Sequence, residues 1–193
     1  MRESILRKAR ESARAIDEFL VRDAALLEAC VLRMAERFRA GGRLYTMGNG
    51  GSACDAQHIA VEFQHPIIEK RAALPAIALT TDSATLTAIG NDSDFSMVFA
   101  RQLKLLSRPG DMALGISTSG QSSNVTRGLQ TAKEMGLLTI AFSGRDGGRI
   151  REASDFCFVV PSFSIHRIQE GHTLLLHLLW DQLHVALGED DVL

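Results

Sequence analysis

A histidine and a glutamate four residues apart, His58 and Glu62, are the first side chains in this sequence whose types and spacing suit chemistry. On a helix, positions i and i+4 share a face, so an imidazole and a carboxylate project together. Such a pair can move protons at a bound molecule or grip a divalent metal. Near the end of the chain, the leucine-rich stretch RIQEGHTLLLH carries Gln169, Glu170, His172 and His177. Polar side chains within an apolar helix require partners. A lone histidine there reads as a hydrogen-bonded core residue, but Gln169, Thr173 and His177 form a stripe at intervals of four. On a straight helix the outer two are about 80° and about 12 Å apart. They reach one metal together only if Gln169 lies at a frayed helix start or the two come from different subunits. His65, His166 and His184 show no such pattern and read as surface or supporting residues.

Two short loops suit an anion. GNGGS, Gly48 to Ser52, follows the run RLYTM and opens a helical segment. Glycines there let backbone N–H groups approach a phosphate, a helix N-terminus adds partial positive charge, and Ser52 can cap or donate. STSGQSS, Ser117 to Ser123, follows MALGI and also opens a helical segment. Its hydroxyls around one glycine make a phosphate cup that needs no lysine or arginine. Either loop alone is also ordinary turn and N-cap composition; two at equivalent positions favour phosphate. A dinucleotide site is the competing reading, because Gly48-x-Gly50-x-x-Ala53 fits the loose nucleotide fingerprint. That site needs an acidic residue about 20 positions on, at the end of the next strand. Glu69 precedes that strand, Asp82 comes late, and the serine cup stays unexplained. Asn91-Asp92 directly after a glycine is turn chemistry, or a pair of partners for sugar hydroxyls.

The elements that must position these groups follow from the apolar pattern. Residues 2 to about 40 carry apolar positions at helical spacing and end at Gly41-Gly42, which predicts two helices or one bent near Asp23. Short apolar runs then alternate with helical ones: RLYTM before 52–65, AIAL before 83–106, MALGI before 121–135, LLTIAF before about 147–153, and FCFVV before 167–187. Strands separated by helices run parallel with crossovers, so the fold class is α/β: a five-stranded parallel sheet flanked by helices, a Rossmann-like sandwich with an N-terminal helical extension. Ligands in such sheets sit beyond the carboxyl ends of the strands, where both loops fall.

Composition sets the outer limits. Hydrophobic residues are 46% and charged residues 23% of 193, the balance of one soluble globular unit. A formal charge of -2 with no basic run excludes an electrostatic footprint for nucleic acid. The apolar stretches are too short to cross a bilayer, and the charged N-terminus lacks the apolar core of a secretory signal, so the expectation is cytoplasmic. Cys30, Cys54 and Cys157, widely spaced and odd in number, fit reduced thiols packed as small apolar residues.

GNGGSACDAQHIAVE, AIGND, GISTSGQSSN, FSGRDGG and RIQEGH, in this order and spacing, resemble the sugar isomerase (SIS) domain family and, within it, the phosphoheptose isomerases. The resemblance runs from about residue 40 to residue 188. It implies substrate contacts at Asn49, Gly50, Gly51, Ser52, Asn91, Asp92, Ser117, Thr118, Ser119 and Ser122, with the serine loop on the phosphate. It implies one Zn2+ per subunit on His58, Glu62, Gln169 and His177, with Glu62 and Gln169 also meeting substrate. It further implies a homotetramer in which residues 1–40 serve oligomerisation and residues 41–193 form the SIS domain. Val61 and His166 stand where some relatives carry acidic residues, a difference of pocket polarity rather than of reaction class.

The activity implied is aldose-ketose isomerisation of sedoheptulose 7-phosphate to D-glycero-D-manno-heptose 7-phosphate through an enediol, with Glu62 as base and His177 as paired acid and base. Two rivals share the fold. One is a non-catalytic relative that binds the replication initiator, in which the glutamate and last histidine are replaced; both are intact here. The other is a sugar-phosphate sensor joined to a DNA-binding module, for which 193 residues leave no room.

Overall fold

In the computed structural model, which describes residues 1–67 and 71–191, the apolar positions from Phe19 to Phe38 line one side of a single unbroken helix, α1 (Arg2–Arg39). The helix is not interrupted at Asp23, whose carboxylate pairs with Arg22. Beyond it the chain alternates as the apolar runs predict: β1 (Leu44–Gly48), α2 (Gly51–Gln64), β2 (Ala76–Ala78), α3 (Ser83–Asp92), α4 (Val98–Leu106), β3 (Met112–Ser117), α5 (Ser123–Glu134), β4 (Leu138–Gly144), β5 (Phe156–Val160) and α6 (Ile165–Ala186). Glu69, weighed above as a nucleotide partner, lies outside the described residues.

Two further expectations change. Residues 83–106 do not form one helix: Ser93 ends α3, and the Asp94 carboxylate accepts from Ser96 N–H at 2.6 Å, starting a single 3-10 turn before α4. Residues 147–153 form turns and no helix, because Gly147 and Gly148 both take positive φ.

All five strands pair in parallel in the order β2-β1-β3-β4-β5. Strand residues alternate between two cores. Leu44, Leu114, Ile140 and Phe142 pack with Ile59 and Phe63 of α2, Leu175 and Leu179 of α6, and Met34 of α1. Tyr45, Ala113 and Ala141 pack on the other face with Phe99 of α4 and Val125 and Leu129 of α5. Strands buried on both faces read as continuous apolar runs, which is why they were legible. Strand order reverses between β1 and β3, and such a switch point opens a crevice at the carboxyl ends. Both Gly/Ser loops fall there.

Candidate active site

The two loops are locked to each other. Asn49, at the end of β1, and Asn124, in the first turn of α5, exchange side-chain amide hydrogen bonds at 2.9 and 2.8 Å. Asn124 carries no periodic or motif signal by itself, and sequence reasoning did not single it out. At the first loop Gly50 caps α2 with φ 55°, and no side chain occupies the leading N–H groups of the helix. A Cβ at Gly51 would lie 2.3 Å from Gln169 Nε2, so it fits only if the Gln169 side chain moves away. At the second loop Ser117 and Ser122 hydroxyls lie 3.0 Å apart, and Ser119 Oγ accepts from Gln121 N–H at 3.2 Å. Ser122 is the N-cap residue of α5 yet its hydroxyl does not bond the helix; Asn124 Oδ1 accepts from Val125 N–H at 2.9 Å, which leaves the Ser122 hydroxyl and the N–H groups before Val125 for an anion. Gly120, at φ +66°, abuts Gly147 and Gly148, so the FSGRDGG turn buttresses the serine loop.

His58 and Glu62 project from α2 as their spacing requires, and α6 brings His177 to them across the helix pair. His58 Nε2 lies 3.2 Å from Glu62 Oε1 and 3.4 Å from His177 Nε2. The two imidazole rings meet edge to face, centroids 5.0 Å apart. One ligand atom from each of the three residues falls within 4.8 Å of the others, and all three side chains are reachable from solvent. Two imidazole nitrogens and a carboxylate oxygen that converge with an open side suit a metal held by three protein ligands plus water or substrate. The residues therefore fit a divalent cation.

Gln169 is elsewhere. It lies in the second turn of the regular helix α6, with its amide against Gly51, so no frayed helix start carries it toward His177. Thr173, between them, donates to Gln169 O at 3.0 Å. Asn91 and Asp92 form the exposed end of α3 and bond each other at 2.8 Å; no described hydrogen bond joins them to the serine loop or to the triad. His172 is wholly buried, its Nε2 2.9 Å from Ser143 O, and burial pushes its pKa down to about 4. His184 is also wholly buried, beside Trp180 and Glu189, and is not a surface residue; Cys54 is exposed rather than packed. Asp55, one turn before His58, keeps one buried oxygen without a described partner, and burial raises its pKa. No described helix is long and apolar enough to cross a membrane.

Anion-ready loops at the switch point of a parallel sheet, with an acid-base cluster on the helices beside them, define the sugar-phosphate class of α/β domain, and the SIS domain model matches residues 9–144. The phosphoheptose isomerase of Pelobacter propionicus is 49% identical over 178 residues, covering 92% of this chain and 94% of that protein. The one from Aquifex aeolicus is 47% identical over 156 residues, covering 81% and 82%. The solved phosphoheptose isomerase of Neisseria gonorrhoeae superposes with a TM-score of 0.85 at 40% identity, covering 94% of this chain and 97% of that one. The Francisella tularensis structure gives 0.86 at 34% identity, covering 94% and 96%. This chain belongs to the SIS domain family and, within it, to the phosphoheptose isomerases.

Proposed function

We propose that this chain converts sedoheptulose 7-phosphate to D-glycero-D-manno-heptose 7-phosphate, an aldose-ketose isomerisation that opens the route to nucleotide-activated heptose. The observation that carries the reading is the convergence of His177, from α6, on His58 and Glu62 of α2, the helix whose N-terminus forms the first anion loop. About 10 Å of helix axis separates Gly51 from His58. That spacing suits a substrate with an anionic tail at one end and a carbonyl at the other. Ser117, Thr118, Ser119 and Ser122, with the N–H groups opening α5, take the phosphate. Asn49, Gly50, Gly51, Ser52, Asn91, Asp92 and Gln169 take the remaining oxygens.

Glu62 removes the proton from the carbon beside the carbonyl, and the enediol collapses when a proton returns to the neighbouring carbon. His177 moves protons at the oxygens or at the second carbon, as a positioned imidazole can. His58, Glu62 and His177 would hold Zn2+, one per subunit, which would supply Lewis-acid polarisation of the carbonyl and stabilisation of enediolate charge. Gln169 is the fourth ligand in this reading, and its place two turns from His177 on an unbroken helix favours its arrival from a neighbouring subunit. The protein works in the cytoplasm as a homotetramer joined through α1. Ile5, Val21 and Leu32 on that helix are exposed, and large exposed apolar side chains mark association surfaces.

The test supplies sedoheptulose 7-phosphate to protein whose solution mass is four times 21.0 kDa and follows aldose formation. Glu62→Gln and His177→Gln should each lower kcat by about 10²- to 10⁴-fold, the contribution of a positioned acid or base. Turnover that survives both substitutions removes the assignment.

A further inference from the structure

We propose that Arg71 is a positioning residue for this reaction: it braces the last turn of α2 against α6 and thereby sets the gap between His58 and Glu62 on one helix and His177 on the other. The inference rests on the functional reading above. Residues 71–74 are stitched to α2 by Leu74 N–H, which donates to Phe63 O at 2.7 Å, one residue beyond Glu62. They are stitched to α6 by Arg71 Nη2, which donates to Asp181 Oδ1 at 2.6 Å, one turn beyond His177. The guanidinium also lies over the Trp180 ring, 4.6 Å from its centre. From behind, the Glu189 carboxylate accepts from Ala72 N–H at 3.2 Å and lies 3.6 Å from Arg71 Nε and 3.1 Å from His184 Nδ1.

Stability does not account for this arrangement. Arg71 is buried, with its side chain 3% exposed, and Asp181 nearly so. Taking both charges out of water offsets most of their attraction, and apolar residues of similar volume often hold such a site as well or better. What an apolar pair cannot supply is a fixed separation: a planar guanidinium that is both ion-paired and stacked sets distance and orientation together. The groups it aligns are sensitive to both, because His58 and His177 meet at 3.4 Å across the seam. A misplacement of about 1 Å in reacting groups costs about a hundredfold in rate.

The experiment compares the full chain with Arg71→Lys and with the apolar pair Arg71→Met/Asp181→Leu. It reads kcat and KM on sedoheptulose 7-phosphate, zinc affinity by competition with a chromophoric chelator, and thermal midpoint. The brace predicts kcat about 10- to 100-fold lower in both variants. KM should stay within about twofold, because the first anion loop lies at the other end of α2 and the serine loop opens α5. Zinc affinity should fall about tenfold or more, the usual cost of losing support behind a metal ligand, even in an apolar pair that melts near the native temperature. Native kcat and zinc affinity in both variants overturn the proposal, as does a rise in KM that tracks a falling midpoint. Wild-type turnover and zinc uptake, measured alongside, test the functional reading separately.

Discussion

His172 illustrates how a single side chain in α6 can serve the scaffold while its neighbours serve chemistry. It is fully enclosed, it reaches Ser143 O at the end of β4, and burial holds its pKa at about 4, below the ordinary 6.5. The unfolded chain therefore takes up a proton here at higher pH than the folded one does. The resulting stabilisation is complete above about pH 6.5 and is lost as pH falls toward 4, by about 3 kcal/mol in all. Denaturant titrations at pH 7 and pH 4 check this. The wild type should lose more stability between the two than His172→Gln, which has nothing to titrate; equal losses would show that His172 does not contribute. His177, five residues on, is exposed and faces α2 instead. The polar residues of RIQEGHTLLLH were visible in the sequence, but their division into core and site depended on which side of α6 meets β4 and which meets α2.

At the scale of elements, the two anion loops depend on glycine for different reasons, and substitution should separate them. Gly120 sits at φ +66°, where a Cβ would lie 2.1 Å from Gly147 O, a backbone atom that cannot step aside. Gly120→Ala should lower the thermal midpoint and raise KM for the sugar phosphate together, since both strain and displacement fall on the serine loop. Gly51 takes no positive φ, and its obstacle is the far end of the Gln169 side chain at 2.3 Å. Gly51→Ala should leave the midpoint within a few degrees while displacing Gln169 and weakening activity; a matching drop in stability would contradict this. Apolar runs located every strand, because parallel strands buried on both faces leave an unmistakable pattern. Local chemistry redrew some helices. Asp94 capped a new turn inside an apparently continuous helical stretch, and two positive-φ glycines kept residues 147–153 from coiling. His58 and Glu62 were legible because their partnership is local. Asn124 and Arg71 were not, since each acts on residues 75 and 110 positions away, through contacts that only the folded chain makes.

Across the whole molecule, the strand order 2-1-3-4-5 places α2 and α5 on opposite faces of the sheet while starting both at one crevice. In the proposed reading the phosphate sits at the helix N-terminus that opens α5 and other substrate oxygens at the one that opens α2, two layers joined by the Asn49–Asn124 pair. The proposed reactive groups come from α2 and α6 in one layer, so the proposed Arg71 brace acts on the gap between those helices and not on the anion loops. Proton abstraction by Glu62 is the proposed step on which this division of labour converges. The direct measurement is to run the reaction in D2O and read hydrogen at C2 of the product aldose by NMR. An enediol route predicts solvent deuterium at C2, at a rate that collapses in Glu62→Gln. Full retention of the substrate's own hydrogen at C2 over many turnovers, or undiminished exchange without Glu62, would contradict it.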